Sequence, residues 1–288
     1  MSPRSKQLVR LALLGATGAL IGAAAAGIAF FLLPKPQASL EVYYSDPQFM
    51  FLVPVSRTLE KTPEGVLAAL ASPPKGLAPI LPKEATASAT LNGTQAQVTL
   101  RIPTVGGGSE QLMAAGIVKS LNSLGAQEVK LSLQDPQGKE YPSEHLDTSA
   151  PMRATDPEME NAWQWAEGAT ARVYWSTAGY LVPLKIPLPE AARPIESSFR
   201  ALVQGPEALE CFFLAPSVPA SLHPSLQGIR DGVAEVKVEN PQALPAGQWE
   251  TAQRAMVLTL TEFRSVSGVR FLGTGVDTPL TRPTWINR

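Results

Sequence analysis

The sequence predicts an α+β fold: two tandem ββαββαβ domains, each a mixed or antiparallel sheet with helices on one face, following an N-terminal transmembrane helix. Three observations carry this reading. First, Val42-Tyr43-Tyr44-Ser45 followed by Leu52-Val53-Pro54-Val55 recurs as Val173-Tyr174-Trp175-Ser176 followed by Leu181-Val182-Pro183-Leu184. The offset drifts from 131 at the tyrosine and 129 at the proline to 138 and 140 further on, as changes in loop length would make it. Solenoid and propeller repeats run to roughly 20–50 residues, so a period this long is a duplicated domain. Second, both copies contain strands that alternate apolar and polar residues, which marks a sheet covered on one side only. Third, Leu11 to Leu33 is a run of 23 residues without a charge.

A helix needs roughly 20 apolar residues to cross a bilayer, so 11–33 is long enough to span. Arg4, Lys6 and Arg10 precede it and no acid occurs among the first 39 residues. The positive-inside bias then makes 1–10 a cytoplasmic tail and puts 34–288 outside the cell membrane, to which the chain is held by a single pass. A cleaved signal peptide is the competing reading, but its apolar region is usually about 7–15 residues long.

Each repeat opens with a hairpin. Leu40–Tyr44 and Phe51–Val55 flank a Ser-Asp-Pro-Gln turn signal. Pro54 and its counterpart Pro183 cannot donate to a ladder and predict edge strands or bulges. A short helix follows, capped by Thr62 with Pro63 in its first turn; its counterpart carries Ile195, Phe199 and Leu202 and breaks at Gly205-Pro206. A second hairpin turns at Asn92-Gly93 and at Asp231-Gly232, pairs that favour type I′ turns. The next strands alternate, with Ala96, Val98 and Leu100 against Gln97 and Thr99, and Ala234 and Val236 against Glu235 and Lys237. Amphipathic helices are expected over 109–124 and 247–264, and closing strands at Val129–Leu133 and Val269–Leu272. The domains are therefore 40–135 and 172–288, each around its own apolar set. They are joined by an acidic linker, 136–171, in which Asp156-Pro157-Glu158 starts a short helix through Trp163 and Trp165.

Composition excludes several functions. Net charge is −1 over 40–135 and +1 over 172–288, so neither repeat offers the basic surface that nucleic acid requires. One cysteine, Cys211, rules out an intramolecular disulfide. Among Leu209, Phe212 and Phe213 it reads as a small buried hydrophobe.

The hairpin ending in Leu52-Val53-Pro54-Val55 and Arg57, the Leu202-Val203-Gln204-Gly205-Pro206 helix end, the Ser217-Val218-Pro219 step, and Thr259-Leu260-Thr261-Glu262-Phe263 leading to Val266-Ser267-Gly268-Val269 resemble the GerMN domain family. The second repeat carries the fuller match. The first departs at Ser72-Pro73-Pro74 and at Ser120-Leu121-Asn122-Ser123-Leu124-Gly125. That resemblance implies two tandem modules of a kind named from sporulation and spore germination, anchored in the envelope and facing outward. It further implies protein contacts, with no established catalytic residues and a similarity to ring-building folds of secretion-like assemblies.

No catalytic residue, cofactor or metal is assigned. His145 and His223 lie in loops without a second ligand at helical spacing, and no G-x-S-x-G elbow occurs. Gly106-Gly107-Gly108-Ser109 reads as a flexible loop with Ser109 as an N-cap, because no Gly-Lys-Ser/Thr follows. A carboxylate-dependent wall hydrolase would need a pair of acids, and Glu110 and Glu262 are candidates only by lying on the expected second helices, at different places on them. The favoured reading is a non-catalytic protein that binds envelope proteins, with peptidoglycan as the alternative partner. Its contact residues are expected at the edge strands, Tyr44, Pro54, Leu181 and Pro183, and at Trp163 and Trp165.

Overall fold

A computed structural model describes residues 36–103, 109–140, 143, 146–162, 168–188, 190, 192–275 and 277–288. The expected span 11–33, Gly106-Gly107-Gly108, His145, Trp163 and Trp165 lie outside these residues. Among the described residues no helix is long and apolar enough to cross a membrane.

The expected order is present twice. The first repeat runs β1 (Gln37–Ser45), β2 (Leu52–Glu60), α1 (Pro63–Leu70), β3 (Thr86–Asn92), β4 (Gln95–Arg101), α2 (Ser109–Leu124) and β5 (Glu128–Gln134). The second runs β6 (Thr170–Thr177), β7 (Tyr180–Pro187), α3 (Pro194–Gln204), β8 (Ser225–Arg230), β9 (Val233–Lys237), α4 (Ala246–Leu260) and β10 (Gly268–Leu272). A short strand, β11 (Leu280–Thr281), follows. Each repeat contains one antiparallel hairpin sheet and one mixed sheet. The mixed sheets have the orders β3-β4-β5 and β11-β10-β9-β8, with β4–β5 and β9–β10 parallel.

Local chemistry explains the boundaries. Thr62 accepts from the Gly65 backbone N–H at 3.1 Å, with Pro63 in the first turn of α1, and α3 stops where Gly205 takes a φ of 82°. The Asp231-Gly232 turn has both φ values positive, at 51° and 75°, as type I′ demands. The first hairpin departs from expectation. Asn92 pairs with Gln95, so the two turn residues are Gly93 and Thr94. Only Gly93 has positive φ, the type II′ pattern in which glycine comes first.

Two helices are shorter than expected. α4 ends at Leu260, where Thr261 Oγ1 donates back to the Val257 carbonyl at 2.6 Å, so Glu262 lies beyond the helix. The linker helix is a single 3-10 turn, Pro157–Met159, after which Glu160 is extended.

Residues 38–288 form one compact unit. Their core is a single contiguous cluster that runs from Val42 and Val53 through Leu121 and Leu131 to Trp175, Val182, Met256 and Val269. The expectation of a separate core for each repeat gives way to this shared one, and the reason lies at the junction between them.

Candidate functional site

Strands β2 and β7 are the second strands of their hairpins, and each lies against the other through two asparagine side chains. Asn161 Oδ1 accepts from Leu52 N at 2.8 Å, while its Nδ2 donates to the carbonyls of Leu52 at 2.7 Å and Pro183 at 2.9 Å. Asn287 repeats the pattern on the counterpart residues. Its Oδ1 accepts from Leu181 N at 2.7 Å, and its Nδ2 donates to the carbonyls of Leu181 at 2.8 Å and Pro54 at 2.7 Å. The asparagine main chains continue it, since the carbonyl of Asn161 accepts from Lys185 N and that of Asn287 from Ser56 N, both at 2.9 Å. The junction therefore has approximate two-fold symmetry. Proline supplies no N–H, so two such strands cannot zip directly; an amide side chain, with donor and acceptor on one carbon, completes the ladder instead.

This corrects the expectation of edges open to a partner. Pro54 and Leu181 are buried, Pro183 is half-buried, and their outward carbonyls are taken within the chain. Tyr44 is wholly buried, and its hydroxyl accepts from Arg57 Nη1 at 3.1 Å. Burial pushes that phenol up to about 12. Two other strand edges are guarded: β8 carries a bulge between Leu226 and Gly228, and β5 is bridged by Met152.

Beside the asparagines, both repeats line a cleft of about 230 Å³. The second repeat contributes a closed ion network. Arg172 binds Glu160 at 2.5 Å and Glu262 at 3.0 Å, and Arg282 binds Glu262 at 2.5 Å. Tyr174 donates to Glu262 at 2.6 Å, and burial beside that carboxylate drives the phenol pKa far up. The first repeat contributes Glu41, the counterpart of Arg172, with Tyr43 and Lys119. Tyr43 donates to Glu41 Oε2 at 2.8 Å, and the Lys119 ammonium donates to the Ala154 carbonyl at 3.2 Å while standing 5.6 Å from the Tyr43 ring centre.

Two apolar turns protrude elsewhere. In the β1–β2 turn the buried Asp46 carboxylate accepts from the backbone N–H groups of Met50 and Phe51, each at 2.7 Å. That brace holds Phe49 at a φ of 56° with its residue 54 % exposed. A bulky side chain at left-handed φ is an outlier whose strain the surroundings must impose. In the second repeat Phe212 is 73 % exposed. Burial raises the adjacent Cys211 thiol pKa, and the Asp46 charge adds to it, so the two turns are neighbours. Phe49 and Met50 also border a groove of about 220 Å³ with Leu112, Ala115 and Met159.

The carboxylates singled out from sequence are not assembled as a pair. Glu110 is buried in the first turn of α2, whereas Glu262 belongs to the ion network. His223 takes a left-handed φ of 41° after a 3-10 turn. The exposed sheet faces carry Gln97, Arg101, Glu235 and Arg270, the last two 3.1 Å apart. Sequence reasoning did not find Asn161, Asn287, Glu41 or Lys119. The asparagines have no sequence context in common, Asn161 standing in the linker and Asn287 next to the last residue.

Residues 41–137 match the family model described as Germane, sporulation and spore germination. Among solved structures, the tandem GerMN domains of the sporulation protein GerM from Bacillus subtilis align with 88 % of this chain and 99 % of that chain, at 18 % identity and a TM-score of 0.59. The first GerMN domain of that protein aligns with 42 % of this chain and 98 % of its own, at 18 % identity and a TM-score of 0.33. A putative lipoprotein from Clostridium perfringens aligns with 43 % of this chain and 91 % of its own, at 21 % identity and a TM-score of 0.28. No curated protein sequence matches.

Proposed function

Because residues 41–137 match the family model for sporulation and spore germination, and the described chain has the fold of tandem GerMN domains, we propose that this protein is a non-catalytic component of an envelope assembly. It is held in the cell membrane by residues 11–33, faces outward, and works by protein contact. The contact surface is the apolar pair of turns, in place of the edge strands. One observation carries the choice: Phe49 is kept both strained and exposed, by a buried carboxylate that braces its turn. Strain of about 1–3 kcal/mol at such a residue persists only where the surroundings over-determine it, and such residues cluster at binding sites. Exposed Phe and Met are also the residue types enriched at interface cores.

The wall-glycan reading has no comparable support, because the exposed sheet faces carry amides and ion pairs where sugar stacking would use aromatic rings. The test is complementation of a deletion strain by Phe49→Asp together with Phe212→Asp, with in-cell crosslinking through a photoreactive residue at position 48. We expect a folded, membrane-bound protein that loses both function and its crosslinked partner. Full activity of this variant would exclude the apolar turns as the contact surface. Protease treatment of cells stripped of their wall should digest residues 34–288, and a full chain recovered in the cytoplasm would overturn the topology.

A further inference from the structure

The cleft at the junction holds two groups of opposite sign, Glu41 and Lys119, that act on each other and on Arg282 and Glu160 through space but have no contact ion pair. Among the described residues no carboxylate lies within ion-pair distance of Lys119 and no cation within that distance of Glu41. The two arginines of the same cleft are saturated by Glu160 and Glu262. Glu41 receives only neutral donors, the Tyr43 hydroxyl and the Ile286 backbone N–H. Lys119 spends one N–H on the Ala154 carbonyl and keeps donors over. Charges withdrawn from water are normally paired, because desolvating them alone is costly. Burial acts on both groups here, raising the carboxyl pKa of Glu41 and lowering the ammonium pKa of Lys119.

We infer that this cleft binds a small zwitterion of free amino acid size, its carboxylate on Lys119 and its ammonium on Glu41. Charge selects the class. A monoanion would satisfy Lys119 and leave Glu41 exposed to added negative charge, while a monocation would do the reverse; only a ligand bringing both signs gives each group a contact ion pair. Size selects within the class, since about 230 Å³ is smaller than the roughly 300–1,000 Å³ of pockets that enclose drug-sized ligands. The Tyr43 hydroxyl positions Glu41, and its ring backs Lys119. Both repeats shape the wall, through Tyr43 and Leu52 on one side and Arg172, Tyr174 and Pro183 on the other, so occupancy depends on the closed junction. This inference is separate from the protein-contact reading, which concerns Phe49 and Phe212.

The test is isothermal titration of the full-length protein with glycine and β-alanine, against acetate, methylammonium and glycinamide. We expect saturable binding of a zwitterion and at least tenfold weaker binding of each singly charged probe. Glu41→Gln and Lys119→Met should each lower the zwitterion's affinity tenfold or more, while Lys139→Met, at an exposed lysine, leaves it unchanged. Thermal melts establish that each variant is folded, and Lys119→Arg, which keeps the charge, should restore part of the affinity if Lys119→Met abolishes it. No binding of either zwitterion, equal binding of acetate, or undiminished binding by folded Glu41→Gln and Lys119→Met would overturn the inference. None of these results bears on the crosslinking outcome.

Discussion

At the scale of single residues, this protein keeps groups that cost it stability. Burial raises the Glu41 pKa, so the folded chain holds that proton more tightly than the unfolded one. The resulting stabilisation is fully present below the unfolded carboxyl pKa of about 4.3 and is lost as pH rises through the folded value. For Lys119 the folded pKa is depressed, so its contribution is present above about 10.4 and is lost as pH falls through the folded value. Between those limits burial works against the charged form of each group, and both cost stability. Glu41→Gln should therefore be at least as stable as the natural protein in urea at pH 7, with the advantage shrinking towards pH 4; a large loss at pH 7 alone would contradict this. Phe49 follows the same logic. Left-handed φ costs a non-glycine residue roughly 1–2 kcal/mol, so Phe49→Gly should retain or raise the midpoint of thermal unfolding while weakening partner crosslinking.

Elements are where sequence reading succeeded most fully, because capping, turn chemistry and periodicity are local. Thr62, Pro63 and Gly205 mark helix ends in the chain as they do in the fold, and alternation in β4 and β9 gave the buried face correctly. Errors fell where distant groups compete. The helical pattern runs on through Glu262, yet α4 stops at Leu260, and Glu262 instead binds Arg172 and Arg282. The edge strands were identified from Pro54 and Pro183, but what covers them was not. Asn161→Ala would strand the N–H and carbonyl of Leu52 and the carbonyl of Pro183, and Asn287→Ala the matching atoms. Leaving a buried backbone group unsatisfied costs about 1–3 kcal/mol, so each variant should lower unfolding free energy by about 2 kcal/mol or more in denaturant titration. The pair should be non-additive, since both asparagines close one ladder.

For the whole molecule, the two repeats are one folding unit with a shared core. Expressed alone, residues 172–288 keep Asn287 on Leu181 but lose Asn161 from Pro183 and Lys185 and expose the apolar surface shared with the first repeat. That fragment should melt well below residues 36–288 in calorimetry; an equal melting temperature would restore the picture of independent domains. The sequence by itself determined the duplication, the element order, the α+β class and the edge character of the proline strands, since each follows from period, propensity or a missing N–H within a few residues. Tertiary structure alone decided that those edges close on each other, that Asn161 and Asn287 bridge them, and that Glu41 and Lys119 share a cleft. Those relations join residues well separated in the chain, such as Leu52 and Asn161, 109 positions apart, and an asparagine's ability to replace a missing ladder bond depends on where folding places it.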